Sequence, residues 1–180
     1  MHSTPAADVV PRTLDDRVTA ALVVVRAGAQ RFALPVGAAR EIAPVREATP
    51  LPGSAPWVRG LVNLRGRIVT VLDLAGRLGL EGDPAAPEPR VVFVEYGGED
   101  GRLGGIEVEA VLGVVPAAAV TLHAAAGAAE VLDLEPALLR SLGRAADGEP
   151  FVLLDADALF HSSPAPAPGR SAPPNHPSEG

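Results

Sequence analysis

The sequence predicts a mainly β fold built from small antiparallel barrels. Roughly eight to ten short apolar segments are separated by turns rich in glycine and proline, which is the pattern of antiparallel strands. Only about two or three short helical segments occur, and they do not alternate with the strands as a parallel α/β sheet requires. The chain of 180 residues is 47% hydrophobic but only 3% aromatic, so its core must be aliphatic.

In the N-terminal half, runs of Val, Leu and Ile between turn residues predict the strands. Ala27–Gln30 reads as a hairpin turn, and Gly66 reads as the turn of a second hairpin. Asp73 is placed to cap a short helix that ends near Gly79. The predicted strands are, in order, Val18–Arg26, Arg31–Val36, Ala39–Val45, Trp57–Arg65 and Arg67–Leu72.

The C-terminal half repeats this style after a link rich in proline and alanine at 81–89. Residues 116–129 give no clear pattern, and Asp133–Leu142 is predicted to be helical. Asp155 is placed to cap a short helix that runs to about Phe160. The predicted strands are Arg90–Tyr96, then Arg102–Val115 as one or two strands with a bend, and Pro150–Leu154.

We expect one ordered region at 18–161, flanked by a flexible N-terminal tail at 1–17 and a proline-rich, disordered C-terminal tail at 162–180. Both tails hold too little apolar bulk to offset the entropy of ordering. An approximate duplication lies within the ordered region, because Arg67–Leu74 and Glu149–Ala156 each read as an apolar strand running into Leu-Asp and a short helix. The duplication predicts two similar lobes.

The charged residues are unusual in kind and in distribution. All 15 basic residues are arginine, and the chain has no cysteine. Lysine-dependent catalysis and disulfides are therefore excluded. The net charge of −7 hides a contrast, because residues 1–80 carry 10 Arg and 6 acids whereas residues 81–180 carry 5 Arg and 16 acids. We expect an arginine-bearing first lobe and an acidic second lobe, which face either two different partners or solvent.

The sequence shows no catalytic, metal or cofactor site. Asp155 and Asp157 are close enough to act as an acid and base pair, although helix capping by Asp155 explains that residue more simply. An acidic chain with few aromatics is poorly suited to nucleic acid, and no apolar stretch approaches the ~20 residues of a spanning helix. The histidines lack the spacing of metal ligands; they are His2, His123, His161 and His176.

The segment Trp57–Leu74 identifies a protein family more specifically than any other part of the sequence. It resembles the signature of the CheW-like family, in which Gly-(Val/Ile)-Ile-Asn-Leu-Arg-Gly precedes an apolar strand that ends in Asp-Leu. Asn63-Leu64-Arg65-Gly66 is the central block of that resemblance. Further matching segments are Phe32–Val36, Arg40–Ile42, Pro52-Gly53, Arg77–Leu80, Gly104–Val115 and residues 139–160.

The resemblance implies two five-stranded, SH3-like barrels packed around an aliphatic core. It implies a non-catalytic, cytoplasmic adaptor without cofactors that couples the cytoplasmic tip of a methyl-accepting chemoreceptor to the regulatory domain of a CheA-type histidine kinase. Such an adaptor reaches the membrane only through its receptors. A scaffold for a pilus or gliding pathway is an alternative within the family. A small-ligand-binding β-barrel and a hydrolase using Asp155 and Asp157 are alternatives from other classes.

Candidate binding residues cluster on and around the Asn-Leu-Arg-Gly block. The Arg65 guanidinium offers a planar fork of donors that suits a partner's carboxylate, while Gly66 permits a tight turn and Asn63 can satisfy backbone groups of that turn. Arg65 either contacts the receptor or braces a loop by pairing with Glu41. The full set expected to bind receptor or kinase is Glu41, Arg59, Asn63, Arg65 and Gly66, with Val36, Val58 and Leu61 as an apolar floor.

Several residues depart from the family pattern. Thr70 stands where proline is usual, Glu109 where aspartate is usual, and Ser141 where glycine is common. Pro150 begins the last predicted strand and suggests an edge or bulge position. These departures concern the second lobe's kinase-contacting surface more than the fold.

Overall fold

A computed structural model describes residues 20–83, 85–86, 88–125 and 127–161. The two predicted tails, 1–17 and 162–180, lie outside the described residues. The first predicted strand, which was expected to start at Val18, is described from residue 20 and begins at Ala21.

The described chain is dominated by strands. They are β1 (Ala21–Ala27), β2 (Gln30–Pro35), β3 (Ala39–Pro44), β4 (Val58–Leu64), β5 (Arg67–Asp73), β6 (Arg90–Tyr96), β7 (Arg102–Val108), β8 (Ala110–Pro116), β9 (Thr121–Ala124), β10 (Leu139–Arg144) and β11 (Pro150–Leu154). The helices are short: α1 (Leu74–Arg77), α2 (Ala128–Leu132) and α3 (Ala156–His161). In this part of the chain no helix has the length and apolarity needed to cross a membrane.

The strands form two sheets, which define two lobes. Lobe A is a six-stranded sheet in the order β8-β1-β2-β11-β10-β9, and lobe B is a five-stranded sheet in the order β3-β6-β7-β5-β4. The predicted fold class, mainly β with two small barrels and short helices, is confirmed. Within the described residues lobe A differs from a five-stranded barrel by the short strand β9, which adds a sixth strand at one edge.

The two lobes share one pairing pattern but not one chain order. Each sheet is antiparallel except for a single parallel pair, β5 with β7 in lobe B and β2 with β11 in lobe A. When the parallel pairs are aligned, β11 corresponds to β5, and the helix that follows each strand, α3 or α1, corresponds as well. This is the duplication predicted from the sequence. Lobe B uses one continuous stretch of chain, whereas lobe A is assembled from both ends of the described chain.

Strand alternation divides the apolar residues among three cores. In β1, Leu22 and Val24 point into lobe A, whereas Val23 and Val25 point into a core shared between the lobes. Successive side chains of a strand face opposite sides, so a strand buried on both faces reads as a continuous apolar run. Strand β6 does the same in lobe B, with Val91 and Phe93 inside the barrel and Val92 and Val94 in the shared core.

Two local predictions need correction. Asp133–Leu142 is not a helix, because it forms a 3₁₀ turn at Pro136–Leu138 and then β10. Pairing of β10 with β11 and burial of Leu138 and Leu139 outweigh the weak helix propensity of this segment. Asp73 makes no side-chain cap to α1, because its carboxylate lies 3.7 Å from the guanidinium of Arg59 instead.

The predicted split into an arginine-bearing first lobe and an acidic second lobe is also wrong. Lobe A contains β1 and β2 from the first half of the chain together with β8–β11 from the second half. Lobe B contains the exposed Arg65 and Arg67, but also the acidic Glu95 and Glu107 of strands β6 and β7. Linear halves therefore do not correspond to lobes, and the charge contrast has to be sought at particular surfaces.

Candidate interaction surface

The hairpin between β4 and β5 ends in a two-residue turn. Leu64 and Arg67 are its last paired residues, so Arg65 and Gly66 make the turn. Both have positive φ, 53° and 84°, as the type I′ turn of a tight hairpin requires. The Asn63 side-chain oxygen accepts the Gly66 N–H at 2.7 Å. Asn63 therefore holds the turn in the way the sequence predicted, and Arg65 projects from a fixed backbone.

Arg65 forms an ion pair that joins the two edges of the lobe B sheet. Its guanidinium lies 3.0 Å from the carboxylate of Glu41 in β3, and β3 and β4 are the edge strands. Backbone hydrogen bonds of 2.8 Å between Thr49 and Leu61 help to close the barrel as well. The brace that the sequence suggested is present. The Arg65 side chain is nevertheless 79% exposed, which leaves donors for a partner's carboxylate.

Exposed apolar side chains occur on the strands next to this ion pair. Ile68 is 66% exposed and lies directly across the hairpin from Asn63. Ile42 follows Glu41 in β3 and is 42% exposed. We call these residues together the hairpin-tip surface; it comprises Glu41, Ile42, Asn63, Arg65, Gly66 and Ile68.

The sequence did not single out the two isoleucines, although it held a signal for Ile68. Ile68 and Val69 are consecutive residues of one strand, so their side chains must face opposite sides. Val69 is buried inside lobe B, which leaves Ile68 facing outward. The alternation therefore predicts an exposed β-branched side chain beside the charged turn.

The other candidate residues lie elsewhere. Val58 begins β4 and is about 20 Å from the hairpin tip at the usual rise per strand residue, while Leu61 occupies the middle of that strand. Val36 packs against the shared core where the chain passes from lobe A to lobe B. The apolar floor proposed beneath Arg65 is therefore not a single surface in the structure.

Arg59 belongs to a charged network on β4, β5 and β7. Its guanidinium lies 3.0 Å from the Glu107 carboxylate and 3.7 Å from that of Asp73. Burial raises the pKa of Glu107, an effect that Arg59 opposes and the nearby Asp73 carboxylate reinforces. This network lines an open cleft of about 300 Å³. Its contacts make Arg59 a partner of neighbouring carboxylates in its own lobe.

The acid and base pair considered for a hydrolase is engaged in structural contacts. Asp155 caps α3 by accepting the Ala158 N–H at 3.0 Å and pairs with Arg140 at 2.8 Å, which confirms its predicted capping role. Asp157 accepts the Gly97 N–H at 2.6 Å. Among the described residues no group of three or more metal-ligating side chains forms a metal site.

In the part of the chain that the structure describes, the interior of the lobe B barrel leaves no room for a small ligand. The gap inside lobe B between Val62, Val71 and Phe93 is about 10 Å³, which is too small to hold even one water molecule comfortably. The interior of lobe A is filled by residues such as Phe151 and Leu153. A β-barrel that binds small ligands in its lumen is therefore not favoured.

These features define the class of the protein as a two-barrel interaction module with filled interiors and an exposed charged hairpin. The family model of the CheW-like domain matches residues 21–163. The chain belongs to the CheW-like family.

Individual relatives agree with this membership. The chain is 30% identical to chemotaxis protein CheW of Rhizobium meliloti over 142 residues, which cover 78% of this chain and 87% of that protein. It is 39% identical to protein PilI of Pseudomonas aeruginosa over 71 residues, which span 39% of this chain and 40% of PilI. The crystal structure of scaffolding protein TtCheW from Thermoanaerobacter tengcongensis matches with a TM-score of 0.68 at 22% identity, covering 80% of this chain and 94% of that one. The family and these relatives support the adaptor function that the sequence resemblance implied.

Proposed function

We propose that this protein is a non-catalytic cytoplasmic adaptor that binds the cytoplasmic tip of a chemoreceptor and the regulatory domain of a CheA-type histidine kinase at the same time. The observation that carries the proposal is the hairpin-tip surface. It combines an exposed guanidinium on a rigid turn with exposed isoleucines. The family membership supports the partner classes and the location, and the protein approaches the membrane only through its receptors.

The hairpin tip is suited to recognising a carboxylate beside an apolar side chain. Glu41 engages one side of the Arg65 guanidinium, so the fork is already oriented and loses little side-chain entropy when a partner binds. Ile68 and Ile42 supply the apolar contact area that an exposed charge alone lacks. Affinity then depends on the buried apolar contacts, and the charge sets orientation and association rate.

A scaffold for a pilus or gliding pathway is the second candidate. The 39% identity to protein PilI is the observation that favours it over a flagellar pathway. Both candidates share the adaptor mechanism and differ only in which receptor and kinase are bound. Co-purification against each receptor and kinase pair of the organism separates them, and failure to bind any such pair contradicts the adaptor proposal.

The decisive variant is Arg65→Ala. We expect it to lower affinity for at least one partner about tenfold or more, as loss of an anchoring arginine does. Arg67→Ala is the matched control, because it removes the same charge from the same hairpin, and we expect less than about a threefold loss for an arginine at the rim. Binding is measured by calorimetry with the purified receptor fragment and kinase domain.

Glu41→Gln separates the contact role of Arg65 from its bracing role. The variant breaks the ion pair but keeps the guanidinium, so a true contact loses only the benefit of the preset orientation and falls in affinity much less than in Arg65→Ala. If both Glu41→Gln and Arg65→Ala lose binding equally, Arg65 acts as a brace. If Arg65→Ala folds and binds both partners normally, the contact role is wrong.

A further inference from the structure

An open cleft lies in lobe A, away from the hairpin-tip surface. It measures about 550 Å³ and lies between the start of β2, the start of β11 and strands β9 and β10. Its volume falls in the range of about 300–1,000 Å³ that is typical of ligand sites. Its walls are mostly apolar and include Leu132, Leu142, Phe151 and Val152. We call it the lobe A cleft.

The rim of the lobe A cleft is rich in hydrogen-bond donors. Arg31 and Arg144 line it together with His123 and Gln30, and Glu149 is the one carboxylate in the lining. Arg31 donates to the Asp147 carboxylate at 3.1 Å, and Arg144 donates to the Gly148 carbonyl. Each guanidinium has five donors, so further donors remain for an occupant that brings acceptors.

Residues 162–180 have the matching chemistry. Six of these residues are proline, and Arg170 balances Glu179, so the segment carries no net charge that would oppose docking. Proline has no N–H and therefore cannot extend the lobe A sheet as a further strand. A polyproline II segment instead offers flat apolar rings and free carbonyl acceptors, which fit apolar walls beneath a donor-rich rim.

The segment also starts close enough to reach the cleft. It follows His161 at the end of α3, and the cleft is lined by Pro150 at the start of β11. Strand β11 and helix α3 cover about 13 Å and 9 Å at their usual rises per residue. At about 3.1 Å per residue in polyproline II, residues 162–180 span about 59 Å. Pro173 and Pro174 are far enough along the segment to enter the cleft.

We propose that the lobe A cleft is a docking site for this chain's own proline-rich segment around Pro173 and Pro174. The tether gives the segment an effective concentration on the order of 1 mM, so even weak intrinsic affinity occupies the cleft. An external partner that uses the cleft has to displace the segment. The docking is intramolecular and does not depend on the receptor and kinase partners proposed above.

The absence of cysteine permits a clean test in the full chain. A spin label attached at Ala172→Cys broadens the NMR amide signals of nearby residues. We expect the amides of Leu132, Leu142 and Phe151 to lose at least about half their intensity, because a segment at mM effective concentration is half bound when its Kd is in the mM range. The Ile68 amide on the hairpin tip should be unaffected.

Matched proline variants identify the docked part of the segment. Replacing Pro173 and Pro174 by Ser should reduce broadening at the cleft to the level seen at Ile68. Replacing Pro164 and Pro166 by Ser should leave it unchanged, because those residues lie too near His161 to reach the cleft. None of the four substitutions replaces a residue of the described strands, helices or cores, so loss of their packing cannot imitate the result.

Three results would overturn the proposal. Broadening could be absent from the cleft, or it could be equal over both lobes. It could also persist in a mixture in which one set of chains carries the spin label and a separate set carries ¹⁵N. Broadening in that mixture would mean that the occupant comes from a second copy of the chain. None of these measurements involves receptor or kinase, so the docking proposal and the adaptor proposal fail independently.

Discussion

The two lobes present equivalent hairpins with opposite charge. The tip in lobe B is Arg65-Gly66-Arg67, and the tip between β10 and β11 in lobe A contains Asp147-Gly148-Glu149. In both hairpins the central glycine has positive φ, 84° and 83° respectively. Both turns therefore use a left-handed glycine, whereas the charges that flank it differ between the lobes. Each tip charge also pairs within its own lobe, Arg65 with Glu41 at 3.0 Å and Asp147 with Arg31 at 3.1 Å.

The lobes also differ in how the chain completes them. Lobe B closes through nearby segments, whereas lobe A needs the parallel pairing of Phe32 with Val152, residues far apart in the chain. Closing so long a loop costs more entropy than forming a hairpin. The buried core between the lobes is contributed by both, and it is the physical reason to expect the lobes to unfold together despite their different connectivity.

Truncating the inner core of each lobe gives the largest expected effect. Phe151 lies inside lobe A and Phe93 inside lobe B, and each is 3% exposed. We expect Phe151→Ala and Phe93→Ala each to lower the free energy of unfolding by about 3–5 kcal/mol. Urea denaturation followed by circular dichroism should show one transition in both variants. Two separate transitions, with only one shifted, would show that the shared core does not couple the lobes.

Glycine substitutions test whether the two tips are equivalent turns. A Cβ at Gly66 or Gly148 would meet nothing within 4 Å, so only the left-handed backbone opposes it. We expect Gly66→Ala and Gly148→Ala each to cost about 1 kcal/mol. Thermal unfolding measures both, and a cost confined to one tip would contradict their equivalence.

Gly60→Ala is the contrasting variant in the same hairpin as Gly66. Its φ is +134°, and a Cβ there would lie 2.2 Å from the Thr49 backbone carbonyl that closes the barrel. Strain and overpacking together should cost about 2–4 kcal/mol. If Gly60→Ala lowers the free energy of unfolding no more than Gly66→Ala does, the Thr49 backbone can move away from β4 at little energetic cost.

The smallest expected effect is a difference in acid titration between the lobes. The Glu149 N–H and the Arg31 guanidinium lower the pKa of Asp147 in lobe A, whereas burial raises the pKa of Glu107 in lobe B. The stabilisation from Asp147 is present above its unfolded pKa and is lost as pH falls through its folded pKa. The sign is opposite for Glu107, whose contribution is present below its unfolded pKa and lost as pH rises through its folded pKa.

Carboxyl NMR titration checks both directions at once. We expect the Asp147 midpoint below the ordinary value of aspartate and the Glu107 midpoint above that of glutamate. Asp147→Asn should flatten the loss of stability in acid, with Glu130→Gln as an exposed control in lobe A. Midpoints displaced in the same direction would contradict the assigned causes.

The sequence by itself determined the local architecture of this protein. The alternation of apolar and polar residues and the positions of glycine predicted most strands and the turn at Gly66. The Asn-Leu-Arg-Gly block identified the family and the chemistry of Arg65. The sequence also held the repeated unit of a strand followed by a short helix. These features depend on neighbours within a few residues, which is why they can be read from the chain.

Only the tertiary structure decided which strands and side chains that are distant in sequence become neighbours. Residues 133–142 form a turn and a strand because β11 pairs with β10, and Ile68 is exposed because Val69 fills the barrel. The sequence left open whether Arg65 pairs with Glu41, and the pairing follows from closure of the sheet between its edges. The linear halves of the chain do not correspond to lobes, because lobe A combines β1 and β2 with β8–β11. Long-range pairing sets these contacts, and no local pattern encodes which distant strand will be the neighbour.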